Sequence, residues 1–481
     1  MAMRATAAAR YEPAREAYEP ADEQRAFAAF VRRNAEFLTT RRLDELRATE
    51  YRRLDESGHV YLDYAGGGLY AESQLERHLD MLRKSVLGNP HSVNPASAAS
   101  TELAERARQA VLHFFNASPT EYSVIFTANA SAAAKLVGEA YPFRAGSRLL
   151  LTFDNHNSVN GLREFARAAG GSTRYVPGAQ PSLRVDEGVL DSWLSRANRR
   201  RPNLFAYPAQ SNFSGVQHPL EWTPRAQEAG WDVLVDCAAF VPTNRLDLSE
   251  WQPDFVPISF YKLLGYPTGV GCLLVRKQAL PKLRRPWFAG GTIAAVSVLG
   301  DWYTPAGGEA RFEDGTLDYL ALPAVEQGLA FVDGIGLDTI HTRVRCLTGW
   351  LLDELAALRH ANGRRAVRIH GPQTTDRRGG TIAFDVVRPD GRRMDVRIVD
   401  RRAASQHISL RTGCFCNPGA GELAFGIPAA AVSRPSGAAC PSDHARAVGV
   451  ESGGAVRVSL GPATTFGDVY RFMRFVARFA S

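Results

Sequence analysis

The sequence predicts an α/β protein with a large domain, built on a mostly parallel sheet of seven strands, and a smaller α+β domain at its C-terminal end. The first observation is that helical patterns over 131–139, 159–169 and 189–196 separate short apolar runs. The second is that seven of these runs have the length and composition of buried strands: 123–126, 148–152, 173–176, 203–207, 232–236, 255–259 and 271–275. The third is a change after residue 320, where helical patterns over 321–335 and 337–361 precede two separate strand candidates, 380–387 and 456–460. A further short strand candidate, 60–64, comes before the seven runs of the sheet.

The length and composition of the chain indicate two domains. The chain has 481 residues, of which 45% are hydrophobic, so it can bury one large core and a second, smaller one. We predict an N-terminal extension with helices that pack on the small domain, a large domain, and a small domain with a cysteine loop: 1–55, 56–320 and 321–481. The N-terminal 20 residues and the Gly/Pro/Ser/Ala-rich segment 428–454 are predicted to be mobile.

The charge pattern argues against binding to nucleic acids. The net charge of +7 comes almost wholly from arginine, because lysine occurs only at positions 84, 135, 262, 277 and 282. The arginine clusters are short and dispersed, and no block of like charges marks a basic patch. No apolar run approaches the ~18 residues of a transmembrane helix, and the N-terminus has no recognisable signal peptide. We therefore expect neither nucleic acid nor membrane as a partner.

The cysteines indicate free thiols rather than a disulfide framework. Six are scattered along the chain, at positions 237, 272, 346, 414, 416 and 440, which predicts a reducing, cytoplasmic environment. Cys414 and Cys416 lie in the segment LRTGCFCNPGAG, and no second pair or nearby histidine completes a metal site. Glycine and proline indicate an exposed turn, where a thiol near cationic groups is a better nucleophile than a buried one. The alternative is a pair of small buried residues.

Lys262 and Asp236 are the first candidates for chemistry. Lys262 follows a strand in the segment ISFYKLLGYPTGVG, whose apolar flanks would desolvate the amine and favour the neutral form that can form an imine. The alternative is a solvated surface lysine. Asp236 ends the run WDVLVD, and a carboxylate at the end of a buried strand needs a cationic partner such as a protonated ring nitrogen. The alternative for Asp236 is a helix N-cap.

Four further features could bind a ligand. The segment 127–131, TANAS, opens a helix, so its backbone N–H groups could approach an anion, although a simple N-cap gives the same pattern. Ser259 could add a hydroxyl group to that anion site. His156 could stack on a flat ring and carry protons, or it could be a loop histidine with local hydrogen bonds. Arg457, on a strand of the small domain, could hold a carboxylate through paired hydrogen bonds.

Taken together, these residues resemble the class V aminotransferase and cysteine desulfurase superfamily, and within it the desulfurase domain of molybdenum cofactor sulfurases. The similar segments follow one another in the expected order to the C-terminus: LRATEYRRLDESGHVYLDYAG, VIFTANASAAAKLVGEA, DNHNSVNGLRE, YPAQSNFSG, VDCAAFVPTN, SFYKLLGYPTGVG, FEDGTLDYL, LRTGCFCNPGA and GAVRVSLGPATTFGDV. The resemblance implies a pyridoxal 5'-phosphate enzyme of fold type I, which acts as a homodimer with its sites at the subunit interface.

The resemblance also implies how the cofactor would be held. Lys262 would carry it, His156 would stack on its ring, and Asp236 would pair with the pyridine nitrogen. The phosphate would be bound by four positions, three in the same subunit and one in the partner: Ala130, Ser131, Ser259 and Thr316. One departure is Asn129, which stands where many relatives have glycine, so the phosphate loop is expected to differ in shape.

For the substrate, the resemblance implies that Asn212 and Arg457 hold its carboxylate while Lys262 or His156 moves the α-proton. L-cysteine would be converted to L-alanine, and its sulfur would be left as a persulfide on Cys416. Cys414 remains an alternative carrier of the persulfide. The alternative function is a C–S lyase, or another reaction at the α- or β-carbon of an amino-acid-like substrate, without a persulfide.

The sulfur acceptor is left open by the resemblance. The chain ends at Ser481, so the C-terminal domain with which such sulfurases engage the molybdenum cofactor is expected to be absent. Gly421 stands where these sulfurases often have a third cysteine. The acceptor is therefore expected to be a separate carrier protein or a small molecule.

Overall fold

The computed structural model describes residues 20–90, 92–432 and 441–480, and its centre is a seven-stranded sheet. Six strands run in one direction, and Gly271–Arg276 is antiparallel to both of its neighbours. The order across the sheet is Tyr122–Thr127, Gly271–Arg276, Phe255–Ser259, Asp232–Asp236, Asn203–Pro208, Arg148–Thr152 and Ser172–Val176. The predicted α/β fold is confirmed, and each of the seven strands begins and ends within one residue of its predicted position.

Successive side chains of these strands contribute to two separate apolar cores. Phe205 and Tyr207 belong to one core, while Leu204 and Ala206 belong to the other. Both faces of the sheet are therefore buried, which explains why its strands read as continuous apolar runs instead of alternating patterns. Helix Ala130–Ala140 packs over one face. In sheets of this kind ligands bind beyond the carboxyl ends of the strands, so the candidate site is expected at that edge.

The C-terminal part of the chain is α+β, as predicted. Its antiparallel sheet has the order Val367–His370, Thr381–Val386, Ala455–Ser459 and Arg411–Gly413. The helices of this part are Leu322–Ile335, Leu337–Ala357, Val396–Ala404, Pro418–Phe425, Pro441–Ala447 and Phe466–Ala477. The proposed domain boundaries themselves stay predictions.

Three local predictions need correction. The break between the helices predicted over 321–335 and 337–361 is confirmed at Gly336, whose φ is 89°, but the second helix already ends at Ala357. The pattern over 159–169 is divided into two short helices, Asn157–Asn160 and Leu162–Ala168. The strand predicted over 60–64 is limited to Val60–Tyr61, which pairs in parallel with Ile408–Ser409.

The N-terminal helices pack against the C-terminal helix Phe466–Ala477. Arg47 forms an ion pair of 3.0 Å with Asp468, and the rings of Phe30 and Phe466 lie 5.0 Å apart. The remaining helices outside the C-terminal part are Pro20–Arg33, Arg42–Glu50, Arg53–Glu56, Glu72–Lys84, Pro95–Phe114, Glu187–Leu194, Trp222–Ala229 and Phe260–Leu264. The predicted mobility of the N-terminus falls on residues outside the described ranges, as do part of segment 428–454 and Cys440.

Candidate active site

A cavity of about 220 Å³ lies at the carboxyl ends of the parallel strands. Seven of the predicted site residues line it: Ala130, Ser131, His156, Asn212, Asp236, Ser259 and Lys262. A larger, open groove of about 1040 Å³ runs along helix Pro95–Phe114, but it contains none of the predicted residues. The smaller cavity is therefore the candidate active site, because the chemistry-bearing side chains converge there.

Lys262 lies on the short helix Phe260–Leu264, directly after strand Phe255–Ser259. Burial lowers the pKa of its amine below the ordinary value, and the nearby charge of Asp236 opposes this shift. The lowered pKa favours the neutral amine that an imine requires. The backbone here is tightly packed, since a Cβ at Gly265 would lie 2.2 Å from the backbone of Leu69. Lys262 is thus held beside the cavity rather than on the solvated surface.

Asp236 ends the neighbouring strand, Asp232–Asp236, and its carboxylate lines the cavity. Its Oδ1 accepts a hydrogen bond from the Ala238 backbone N–H at 3.0 Å. Turns follow at residues 238–243, so the carboxylate does not cap a helix as the alternative proposed. The position and charge fit a protonated ring nitrogen inside the cavity.

At the start of helix Ala130–Ala140 the N-cap given as the alternative is present, and the anion site beside it stays a prediction. Asn129 occupies the N-cap position, where its side chain accepts from Ala132 N–H at 2.9 Å and its carbonyl accepts from Ala133 N–H at 3.1 Å. The N–H groups of Ala130 and Ser131 come before these two, at the positive end of the helix dipole and at the cavity wall. Asn129 has an extended φ of −178°, which any residue can adopt, so glycine is not required there.

Two hydroxyl groups extend this anion site. Ser131 Oγ lies 2.5 Å from Ser158 Oγ, which links the helix to the loop of His156. Ser259 lines the cavity and hydrogen-bonds to the Tyr261 side chain. Helix N–H groups together with hydroxyl groups are a suitable donor set for a phosphate. The described residues therefore fit the phosphate of the cofactor that the resemblance implies.

His156 lines the cavity and also forms local hydrogen bonds, so its stacking on a flat ring stays a prediction. Its Nδ1 accepts a hydrogen bond from the Ser158 backbone N–H at 3.1 Å, which leaves Nε2 to carry the proton of the neutral ring. Burial lowers the pKa of His156, and the nearby charge of Lys262 lowers it further. The ring is therefore held neutral, with a fixed tautomer, at the edge of the cavity.

Arg457 does not line the cavity, and its charge is paired with a residue that the sequence did not single out. Its Nη2 donates to Asp63 Oδ1 at 2.9 Å, and Arg411 Nη2 donates to Asp63 Oδ2 at 2.6 Å. Its Nη1 donates to the carbonyl oxygen of Asn212 at 3.0 Å. The Nε of Arg457 is buried and has no hydrogen-bond partner among the described residues. The role of Arg457 in holding a substrate carboxylate therefore stays a prediction.

The cysteine loop, residues 414–417, lies beside the cavity. Phe415 and Cys416 have φ values of 56° and 55°, a left-handed conformation that costs about 1 kcal/mol or more for each non-glycine residue. The Cys416 carbonyl accepts from the Asn157 backbone N–H at 2.8 Å, next to His156. Cys416 is exposed, whereas burial and then the charge of Glu422 raise the pKa of the Cys414 thiol to about 11. The two thiols therefore differ strongly in accessibility.

Thr316 lies outside the cavity of its own chain. It is exposed, and its hydroxyl oxygen is 3.4 Å from Asn89 Nδ2. Its predicted contact with the phosphate across a subunit interface stays a prediction.

Sequence reasoning missed several residues at the site. Gln210 and Tyr261 line the cavity. Asp63 accepts a hydrogen bond from Arg457, and Asn417 donates one to Asn212. Asp63 lies within the segment 60–64, which was predicted to be a strand throughout. Its acidic side chain between apolar neighbours was the available signal, but nothing local identifies Arg457 as its partner.

The site and the fold together define the class of protein. An aspartate ends one parallel strand and a lysine follows the neighbouring strand, on the fold of a pyridoxal-phosphate-dependent enzyme of fold type I. The chain belongs to the class V aminotransferase family, whose model matches residues 60–472. In the described ranges no helix is both long and apolar enough to cross a bilayer, and no cluster of His, Cys, Asp or Glu side chains could hold a metal ion.

Curated relatives support a closer relationship within that family. Molybdenum cofactor sulfurase from Solanum lycopersicum is 37% identical over 90% of this chain, and the protein of that name from Homo sapiens is 38% identical over 90%. The chain spans 57% and 51% of the lengths of these two relatives.

Solved structures share the fold. An apo cysteine desulfurase from Thermococcus onnurineus has a TM-score of 0.75 at 22% identity, with 91% of this chain and 98% of that chain covered. A cystine C–S lyase in complex with its product cysteine persulfide has a TM-score of 0.67 at 19% identity, with 88% and 98% covered. Because enzymes with both activities have this fold, the fold alone does not choose between the two proposed functions.

Proposed function

We propose that this protein is a pyridoxal-phosphate-dependent cysteine desulfurase, which converts L-cysteine to L-alanine and keeps the sulfur as a persulfide on Cys416. The observation that carries the proposal is the position of Cys416: an exposed thiol on a strained loop that is hydrogen-bonded to the backbone beside His156. A lyase that releases its product directly needs no such thiol. The similarity to molybdenum cofactor sulfurases agrees with this choice.

The cofactor would be held by the residues described above. Lys262 would bind it covalently, Asp236 would pair with its ring nitrogen, and His156 would cover its ring. Its phosphate would be bound by helix N–H groups and hydroxyl groups: those of Ala130, Ser131, Ser259 and, from a second copy of the chain, Thr316. When bound, the cofactor supplies an electron sink for negative charge at the substrate α-carbon.

The residues of the chain would then act in order. Asn212, which lines the cavity, and Arg457, whose guanidinium donates to the Asn212 carbonyl oxygen, bind the substrate carboxylate and so place the sulfur towards the cysteine loop. Lys262 or His156 removes the α-proton, and the lowered pKa of each favours the neutral form that can accept it. Without its proton, Cys416 Sγ attacks the substrate sulfur. A sulfur–sulfur bond forms, the carbon–sulfur bond breaks with its electron pair passing to the β-carbon, and protons are added first to the β-carbon and then to the α-carbon to give alanine.

Cys416 is the proposed nucleophile in preference to Cys414. Only a thiolate attacks efficiently, and the raised pKa of about 11 keeps Cys414 protonated at neutral pH. Cys414 is also the more buried of the two thiols. Burial and the raised pKa therefore both argue against Cys414.

The partners and location follow as further proposals. A homodimer is supported by apolar side chains exposed around the hairpin of Ile293–Ser297 and Trp302–Pro305, among them Val298 and Leu299. A reducing cytoplasm is supported by the free thiols of the five cysteines in the described ranges. The exposed Cys416 would pass sulfur to an acceptor, either a carrier protein or a small molecule.

The products formed from L-cysteine test this function. We expect one alanine for each sulfur released, and a mass increase of one sulfur atom on the peptide that contains Cys416. Digestion and mass spectrometry after a single turnover measure the second result. Pyruvate instead of alanine, with no sulfur added to any cysteine, would establish the lyase alternative. A persulfide on Cys414 would correct the assignment of the nucleophile.

The pH dependence of the reaction tests the role of His156. Its pKa is lowered from the ordinary value of 6.5, so it stays neutral at pH values where a free histidine is already protonated. We therefore expect the acid-side fall of kcat/KM to be centred below pH 6.5, when the rate is measured between pH 5 and 8. The variant His156→Gln should lose this fall. If the same acid-side fall persists in His156→Gln, it belongs to another group.

A further inference from the structure

The side chain of Asn212 is held by the cysteine loop. Its Nδ2 donates to the Phe415 carbonyl at 2.8 Å, and its Oδ1 accepts from Asn417 Nδ2 at 2.9 Å. These two bonds determine which way the amide points. Rotating it by half a turn would bring two N–H donors together at Asn417 and two oxygens together at Phe415. One N–H of Asn212 is used by Phe415, and the side chain lines the cavity.

Asn417 is itself held from several sides. Its Nδ2 also donates to the Asp154 carbonyl at 2.7 Å, and its Oδ1 accepts from the Ala420 N–H at 3.2 Å, where it caps helix Pro418–Phe425. The residue is fully buried. Its two amide protons therefore connect the loop to Asn212 and to the backbone two residues before His156.

The loop is packed closely in this position. A Cβ at Gly419 would lie 2.1 Å from the Phe153 carbonyl oxygen, so the start of the helix lies directly against the end of strand Arg148–Thr152. Because Phe415 and Cys416 both have left-handed backbones, the loop holds its shape against local preference. The hydrogen bonds to Asn212, Asp154 and Asn157 stabilise that shape.

We propose that Asn417 is a positioning residue, which orients the Asn212 amide towards the substrate carboxylate and so couples substrate binding to the position of the Cys416 loop. Substrate that binds Asn212 stabilises the loop in the position where Phe415 and Asn417 bond to Asn212. The loop in that position in turn orients Asn212 towards the substrate. Such coupling is reciprocal. This inference rests on the proposed function, because it takes Asn212 as a ligand of the substrate carboxylate.

The variant Asn417→Ser tests the coupling. Serine is also a good N-cap, so the helix keeps its cap, but the shorter side chain no longer reaches Asn212. The probe is L-alanine, which carries the carboxylate but no sulfur, titrated into the holoenzyme by the change in cofactor absorbance. We expect the Kd for L-alanine to rise about tenfold, the effect of losing one orienting hydrogen bond. Asn94→Ser, the same change at another Asn–Pro helix start away from the cavity, is the matched control.

The double variant separates positioning from an independent role. Asn212→Ala should weaken L-alanine binding about tenfold, and adding Asn417→Ser should weaken it no further, because Asn417 acts through Asn212. If the Kd for L-alanine is about tenfold higher in the double variant than in Asn212→Ala alone, the two residues act independently and the inference is overturned. An unchanged Kd in Asn417→Ser would overturn it too.

Amide hydrogen exchange gives a second readout that a purely structural role would not move. L-alanine should slow exchange of the peptide containing residues 414–417 in the wild-type enzyme, and this protection should be lost in Asn417→Ser. Equal protection in both proteins contradicts the coupling. Failure of the desulfurase proposal would be seen separately, in the products formed from L-cysteine. If Asn212→Ala leaves the Kd for L-alanine unchanged, Asn212 does not bind the carboxylate and the inference fails.

Discussion

Replacing Cys416 by alanine is expected to abolish the transfer of sulfur and to reduce the formation of alanine from L-cysteine by about 1,000-fold or more. The reason is that no other thiol in the described ranges is exposed. Cys237, Cys272 and Cys346 are buried, and the pKa of Cys414 is raised to about 11. The measurement is the initial rate of alanine formation, together with the mass of the protein after a single turnover.

The matched control is Cys414→Ala, two positions away in the same loop. Cys414 packs partly against an apolar cluster, so its replacement removes a small side chain but leaves Cys416 exposed. We expect this variant to keep its persulfide and most of its rate. Undiminished alanine formation in Cys416→Ala would exclude the persulfide mechanism, and a persulfide lost only in Cys414→Ala would exchange the roles of the two thiols.

Replacing Lys262 by alanine is expected to reduce turnover by about 10⁴-fold, because the change removes both the covalent attachment of the cofactor and a candidate proton carrier. The desolvated amine, with its lowered pKa, has no substitute in the cavity. Arginine could not serve there, since it stays protonated. The rate of alanine formation measures this effect, and Lys277→Ala, at an exposed lysine on the far end of strand Gly271–Arg276, is the control.

A second readout of the Lys262 variant does not depend on turnover. Borohydride reduction of the wild-type holoenzyme should fix the cofactor to the peptide that contains Lys262, as detected by mass spectrometry. The same treatment should leave that peptide unmodified in Lys262→Ala but modified in Lys277→Ala. Cofactor fixed to another lysine in the wild-type protein would contradict the assignment.

The sequence was sufficient to predict the parts of the site that lie at strand ends. Lys262 and Asp236 follow apolar runs of strand length, and the carboxyl ends of parallel strands meet at one edge of a sheet. The N-terminus of helix Ala130–Ala140 was predicted for the same reason, since small residues after a strand are a local signal. Periodicity and turn chemistry are properties of neighbouring residues, so a single sequence contains them.

Contacts between distant segments were not predictable in this way. Asp63 and Arg457 are 394 positions apart, and Asn212 and Asn417 are 205 positions apart. No local pattern distinguishes the arginine that Asp63 pairs with from the many other arginines of the chain. The strand expected over 60–64 was shorter for a related reason, because Asp63 turns towards the small domain, where a bridge to Ser459 and the two arginines hold it.

By itself, the sequence determined the fold class, and it singled out Lys262 as the candidate to hold a cofactor and Cys414 and Cys416 as the candidate thiols. Only the tertiary structure decided which thiol is exposed, because burial depends on packing against Ala445, Val448 and Val450, which lie beyond residue 440. It also decided how Asn212 is oriented, because an amide has no preferred direction until its partners are in place. Burial and hydrogen-bond geometry arise from long-range contacts, and the proposed reactivity of Cys416 rests on both.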